Sequence, residues 1–216
     1  MINRLPITEI SPSVFFGGEF VPVKAIAGEE IEISATIFRE GHDALGADVL
    51  LYNHEGVEIS RTRMREDYPG GHRYTALLRI PSRGDFHYAI ESFDDPFATW
   101  IHECEIKIPA DIDAQLCCLT GLSLFESALE EDPSAKKLLA PAIKALADSK
   151  LAPANRFSIS SSGEIKRYFS DNPLRRLQST SHRIPIRADR DRALVGAWYE
   201  FFPRSEGATQ DAKGVI

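Results

Sequence analysis

Residues Ile31–Gly46 read IEISATIFREGHDALG. Ile31, Ile33, Ala35 and Ile37 alternate with Glu32, Ser34 and Thr36. A period of two places one apolar row on one face of a strand, so the stretch predicts a half-buried β-strand. Its end, FREGHDALG, is dense in charge and glycine and predicts a polar loop. Everything up to Pro109 is read as further strands built around this one.

On its N-terminal side, Ile7–Phe16 and Phe20–Ala25 flank Gly17-Gly18, a pair suited to a tight hairpin turn. Pro12 and Pro22 would interrupt a central ladder, which makes these edge strands. On its C-terminal side, Ala47–Tyr52 and Val57–Met64 flank the turn signal His54-Glu55-Gly56, and Arg65–Gly71 is a loop. Tyr74, Ala76, Leu78 and Ile80 line a strand, and so do Phe86, Tyr88 and Ile90 after the corner Pro81–Asp85. Asp94–Ala98 is read as a loop. Thr99–Ile108 is read as a last strand, with Trp100, His102, Cys104, Ile106 and Ile108 on one face. Strands at this spacing predict a two-sheet β-sandwich of immunoglobulin or fibronectin type.

The period changes after Pro109. Asp111 or Asp113 caps a helix to about Glu130, with Leu116, Leu119, Leu122 (or Phe125), Leu124 and Leu129 as its apolar positions. Asp132 caps a second, with Pro133 at its first position and Leu138, Leu139, Ala142, Ile143 and Leu146 on one face. Lys150–Ser160 is read as a loop. Ser161 and Glu164 have capping-box spacing for a short helix through Phe169, which Asp171-Asn172-Pro173 stops. Apolar helix faces need partners, so these helices form a small bundle. The expected organisation is a β-sandwich over 1–110, a helical insertion over 111–180, and a closing segment over 181–216.

Within that last segment Arg183–Ala188 is a short strand. Ala193–Phe202, ALVGAWYEFF, is apolar on both faces. Such a strand belongs inside a covered sheet or barrel. It points to a chain that is the front part of a longer protein; the alternative is a last strand packed back on the sandwich.

Composition narrows the function classes. The 216 residues carry a formal net charge of −7, which disfavours binding to nucleic acid. No apolar run approaches a membrane span, and MINRLPITEIS has no secretory core segment. The three cysteines, Cys104, Cys117 and Cys118, are read as reduced thiols of a cytoplasmic protein.

Chemical candidates are few. Asp94-Asp95 and Glu130-Glu131-Asp132 are read as solvated loop charge, and His42-Asp43 as part of a loop network. His102 with Cys104, Cys117 and Cys118 lacks zinc-site spacing, so no metal and no cofactor is expected. Phe97, Trp100 and Tyr88 have the chemistry of a sugar-stacking platform, with Trp100 better placed for the core. Phe97 and Tyr68, both in loops, are the exposed aromatic candidates for a substrate or a subunit contact.

Three stretches carry a resemblance. Phe38–Ala44 (FREGHDA), Asp95–Trp100 (DPFATW) with Glu105–Pro109 (EIKIP), and Asp191–Gly207 (DRALVGAWYEFFPRSEG) occur in this order. Together they resemble the N-terminal part of the bacterial α-1,4-glucan:maltose-1-phosphate maltosyltransferases of GlgE type. The resemblance implies a β-sandwich with an inserted bundle, followed by an α-amylase-like (β/α)₈ barrel whose first strand is Trp198–Arg204. It implies cytoplasmic homodimers to which sandwich and bundle contribute. It also implies a parent enzyme that moves maltosyl units from α-maltose 1-phosphate onto the non-reducing end of a glucan, with retention. The carboxylate nucleophile and acid–base of that chemistry would lie beyond Ile216. The expected role is therefore a non-catalytic assembly portion; the alternatives are a glucan-binding module or a protein-interaction sandwich.

Overall fold

The computed structural model describes residues 5–195 together with Glu200. The chain opens with β1 (Ile7–Ser11), β2 (Val14–Phe16), β3 (Glu19–Val21) and β4 (Val23–Ile26). The strands β5 (Glu30–Ile37), β6 (Leu45–Asn53), β7 (Glu58–Arg63), β8 (Arg65–Glu66), β9 (Arg73–Arg79) and β10 (Gly84–Asp94) follow. Next come the helices α1 (Pro96–Lys107), α2 (Ala114–Glu131), α3 (Lys136–Ala147), α4 (Pro153–Ser160) and α5 (Gly163–Asp171). Two strands, β11 (Gln178–Thr180) and β12 (Ile184–Asp189), then return.

One sheet has the order β1-β5-β9-β8, and the larger has β4-β12-β10-β6-β7 with β11 beside β10. The predicted central strand is β5, held antiparallel between β1 and β9. Its Ile33, Ala35 and Ile37 are fully buried. They share one core with Val49 and Leu51 of β6, Tyr88 and Ile90 of β10, and Ile184 and Ile186 of β12. Each fully buried aliphatic side chain contributes roughly 1.5–3 kcal/mol, and a period-two row delivers several of them to one face. The glycine pair forms the turn of the β2–β3 hairpin, both residues with positive φ. As expected from Pro12 and Pro22, β1 and β4 are edge strands.

The helices are an insertion in a hairpin. β10 and β11 are antiparallel neighbours, with Glu91 opposite Thr180, and the chain between them makes α1 to α5. The helices close over a core of their own that shares no residue with that of the sheets. The protein is thus mainly β with a helical insertion.

Two segments read differently in the sequence. Thr99–Ile108 is not a strand but most of α1, which starts at Pro96. Asp95 caps it by accepting from the Ala98 N–H at 2.9 Å, and Pro96 sits where its missing N–H costs nothing. Phe97, Trp100 and Cys104 face inward at helical spacing, while His102 and Ile106, expected on the same face, point out. Lys150–Ser160 is not a loop but contains α4, whose buried residues are Arg156 and Ser160.

The apolar face of α2 is also rotated from the expected one. Cys117, Cys118, Gly121, Leu124, Phe125 and Ala128 are buried, and Leu116 and Leu119 face solvent. Asp132 caps its short 3-10 turn as read, accepting from the Ser134 N–H at 3.1 Å. The N-cap of α5 is Ser162 rather than Ser161, and its side chain makes no capping bond. At the end of the described chain, Asp191–Leu194 is a 3-10 turn. Of the proposed barrel strand Trp198–Arg204, all but Glu200 falls outside the described residues.

Candidate functional site

The exposed candidate Phe97 is buried. Its ring stacks on Phe169 with centroids 3.9 Å apart and meets Trp100 and Phe125 edge-on or tilted. Phe97 belongs to the helical core because Asp95-Pro96 begins a helix there rather than a loop. Trp100 is locked in the same core, its indole N–H donating to the Cys117 carbonyl at 2.7 Å. Gly121 leaves room for that indole; a Cβ there would collide with it. Tyr88 is buried in the sheet core, where its hydroxyl donates to the Pro12 carbonyl at 2.6 Å and burial pushes its pKa up. Of the aromatic candidates only Tyr68 is exposed, its ring lying over Gly71.

The remaining candidates resolve into local structure. Asp43 pairs with Arg39 at 2.8 Å. Asp94 accepts from the Leu177 N–H at 2.9 Å and returns its own N–H to the Leu177 carbonyl, tying the two ends of the insertion together. Cys104, Cys117 and Cys118 are buried free thiols, and burial pushes the Cys104 thiol up, reinforced by Cys117 beside it. Among the described residues no group of histidine, cysteine, aspartate or glutamate is arranged to hold a metal ion.

Two constellations emerge that the sequence did not bring together. The first is ionic and lies on the face of the larger sheet opposite its core. Asp48 of β6 is almost wholly buried. Its carboxylate accepts from Arg63 at 2.6 Å, from Arg61 at 3.3 Å and from Arg175 of the segment after α5. Glu91 of β10 accepts from Arg61 at 2.6 Å and from Arg175. Phe93 lies between the guanidinium carbons of Arg175, 4.3 Å from the ring centroid, and Arg63, 5.1 Å away. Arg61 is held above the usual arginine pKa: burial opposes its charge, but Glu58, Glu91 and Asp48 outweigh that. A buried carboxylate is stable only when paired and hydrogen-bonded, and these arginines meet that requirement. The only hint in the sequence is an aspartate within the apolar run Ala47–Leu51.

The second is a cleft of about 560 Å³ where the β6–β7 edge faces the end of α5. Arg63, Arg65, Glu66, Tyr74, Asp95 and Asp171 supply its polar lining. Asp95 is raised above the usual carboxylate range by burial, against the opposing pull of the Ala98 N–H and Arg63. Tyr74 is pushed up to about 12 by burial and by Glu66. Arg63 donates its Nε–H to Asp48 and also lines the cleft.

Comparison with known proteins gives a consistent result. A family model described as alpha-1,4-glucan:maltose-1-phosphate maltosyltransferase, domain N/S, matches residues 3–190. Alpha-1,4-glucan:maltose-1-phosphate maltosyltransferase 2 of Streptomyces coelicolor is 40% identical over the whole chain, which covers 32% of that relative. The protein named alpha-1,4-glucan:maltose-1-phosphate maltosyltransferase in Arcanobacterium haemolyticum is 36% identical over 98% of the chain and 31% of its own length. A relative of that name in Myxococcus xanthus is 29% identical over 96% of the chain. The chain spans about a third of the length of the relatives it matches, at their N-terminal end.

Proposed function

The chain belongs to the alpha-1,4-glucan:maltose-1-phosphate maltosyltransferase family, as its domain N/S, and from that premise we propose that it is a non-catalytic assembly unit of a larger enzyme. The larger protein transfers maltosyl units from α-maltose 1-phosphate to an α-1,4-glucan, in the cytoplasm, with retention of configuration. The domains that carry its nucleophile and its acid–base follow this one in the polypeptide, beginning with an α-amylase-like barrel. The β half is read as an immunoglobulin-like sandwich, and sandwich and bundle together hold a homodimer.

The observation that carries this reading is an apolar patch on the helices. Leu116 and Leu119 stand three residues apart on the outer face of α2, with Ile112 in the turn before it and Ile106 near the end of α1. Each is more than half exposed. Scattered exposed apolar residues are ordinary, but two on the outer face of one helix with two more in the preceding segments favour a surface that another surface covers. The buried carboxylate of Asp48 and the half-buried one of Glu91 also favour a structural role, since arginines already claim them.

The test has two parts. Sedimentation of the chain should show a dimer that Leu116→Glu with Leu119→Glu converts to a folded monomer; a wild-type monomer at all concentrations would remove the assembly role. The chain incubated with maltose 1-phosphate and glycogen should release no phosphate, and measurable release would end the non-catalytic reading.

A further inference from the structure

We propose that the outer face of the β2–β3 hairpin is a docking surface for the part of the polypeptide that follows this domain in the parent enzyme. It rests on the reading that further domains follow this one, and it adds where one of them binds. Val14 of β2 lies opposite Val21 of β3, and Phe16 lies opposite Glu19. Directly opposed residues of a hairpin share a face, as do residues two apart, so Val14, Phe16 and Val21 stand on one side. Phe15 lies opposite Phe20 on the other side, their rings 5.1 Å apart.

The described residues cover little of this hairpin. Phe20 is its anchor: it packs against the sheet core and meets the His182 ring at 6.3 Å. Phe16 is 76% exposed, and Val14, Phe15 and Val21 are exposed as well. Among the described residues β2 and β3 pair only with each other, so both edges of the hairpin stay open. A two-stranded hairpin is marginal in water by itself, and spending four large apolar side chains on its surface adds nothing to its stability there. A contiguous apolar patch of that kind marks a surface that another one covers.

The route of the chain selects the occupant. About two-thirds of the length of the relatives follows the matched region. The hairpin leads into β4, and β4 lies parallel beside β12, the last strand among the described residues. The six residues of β12 span roughly 20 Å, less than the width of a domain of ordinary size, so a domain that follows β12 reaches back to the hairpin. A short tether also holds such a domain at a roughly millimolar effective concentration, so a small apolar contact suffices to dock it. The assembly reading already places the second copy on α1 and α2. The surface that fits the hairpin is apolar at its centre, with a basic group at the rim for Glu19 beside Phe16.

The test is hydroxyl-radical labelling, which marks exposed phenylalanine rings, on this chain and on the full-length parent enzyme in parallel. Phe16 is expected to be labelled in the chain and to lose that labelling in the parent. Val14→Asp with Phe16→Asp should leave the unfolding midpoint of the chain unchanged, since both side chains are exposed, and should restore labelling of Phe15 in the parent. Equal labelling of Phe16 in chain and parent overturns the proposal. Protection that grows with the concentration of the chain alone also overturns it, as does protection that the parent loses when Leu116→Glu with Leu119→Glu makes it monomeric, because both put a second copy on the hairpin. Equal labelling in a parent that carries further domains removes this docking surface alone, whereas a parent in which no domain follows ends the assembly-unit reading with it.

Discussion

The two halves of this molecule build their cores from different material. The sheets bury aliphatic rows, Ile33, Ala35 and Ile37 facing Val49, Leu51 and Ile90, with each row set by the pleat. The helices close around rings: Phe125 meets Phe97, Trp100 and Phe169, and Trp100 also meets Phe157. Between them the contacts are mainly polar, around the single ring of Phe93 that Arg175 and Arg63 flank. The junction is made of the Asp95 cap, the paired backbone bonds of Asp94 and Leu177, and the guanidinium of Arg175 on Asp48 and Glu91. Two separate apolar cores joined by polar contacts should behave as two cooperative units, and each experiment below strikes one side of that contrast.

The largest effect is expected from Phe125→Ala. Phe125 is fully buried and touches three other rings, so its loss should cost the helical half about 3–5 kcal/mol. Hydrogen exchange should show α1, α2 and α5 losing protection while β5, β6 and β10 keep theirs. Equal loss in both halves would mean the cores are coupled more tightly than the polar junction allows.

The same contrast explains what the sequence disclosed. Strand rows such as Tyr74–Leu78 and Phe86–Ile90 show their period without ambiguity, so most of the β half is legible; β8, in a stretch read as a loop, and β11, at the end of the expected helical insertion, are too short to show a period. In the helical half, Trp100, Cys104 and Ile108 satisfy a period of two as well as the helical spacing, and the alternation concealed the stronger signal of Asp95-Pro96 as a helix start. α4 was hidden for another reason: it is anchored by polar burial. Arg156 donates to the Leu151 carbonyl at 2.8 Å and to Gln115 at 3.2 Å, and Ser160 donates to the Arg156 carbonyl at 2.9 Å. No hydrophobic pattern can announce such a helix. The cleft was illegible because Arg65, Tyr74, Asp95 and Asp171 are brought together by tertiary structure alone.

A smaller effect is expected at the junction itself. Arg175→Ala removes a guanidinium that reaches from the segment after α5 to the sheet, while Arg61 and Arg63 still neutralise Asp48. Charge-assisted hydrogen bonds to a buried carboxylate put the loss at about 1–3 kcal/mol. Neither core is touched, so both should keep their own stability. The distance between labels on α5 and β7 should broaden, and denaturant unfolding should split into two better separated transitions. An unchanged distance distribution would show that the backbone bonds of Asp94 suffice, and that the arginine serves only to satisfy Asp48.

The smallest effect compares two aspartate caps with opposite titration. Asp132 caps the turn before α3, and its pKa is lowered by the Ser134 hydroxyl, with Tyr168 assisting. A carboxylate lowered on folding contributes stability above its unfolded value of about 3.8, and that stability is lost as pH falls through the folded value. Asp95, at the junction, is raised chiefly by burial. Its contribution has the opposite sign: it is fullest below the unfolded value and is lost as pH rises through the folded one. Acidification should therefore loosen the start of α3 while relieving the start of α1. Asparagine caps helices as well as aspartate does and carries no charge. Asp132→Asn should flatten the acid loss of exchange protection in α3, and Asp95→Asn should leave α1 intact at neutral pH. If Asp95→Asn instead weakens α1 at neutral pH more than Asp132→Asn weakens α3, the Asp95 charge is engaged by Arg63 across the cleft. The junction would then be ionic on both of its edges rather than on one.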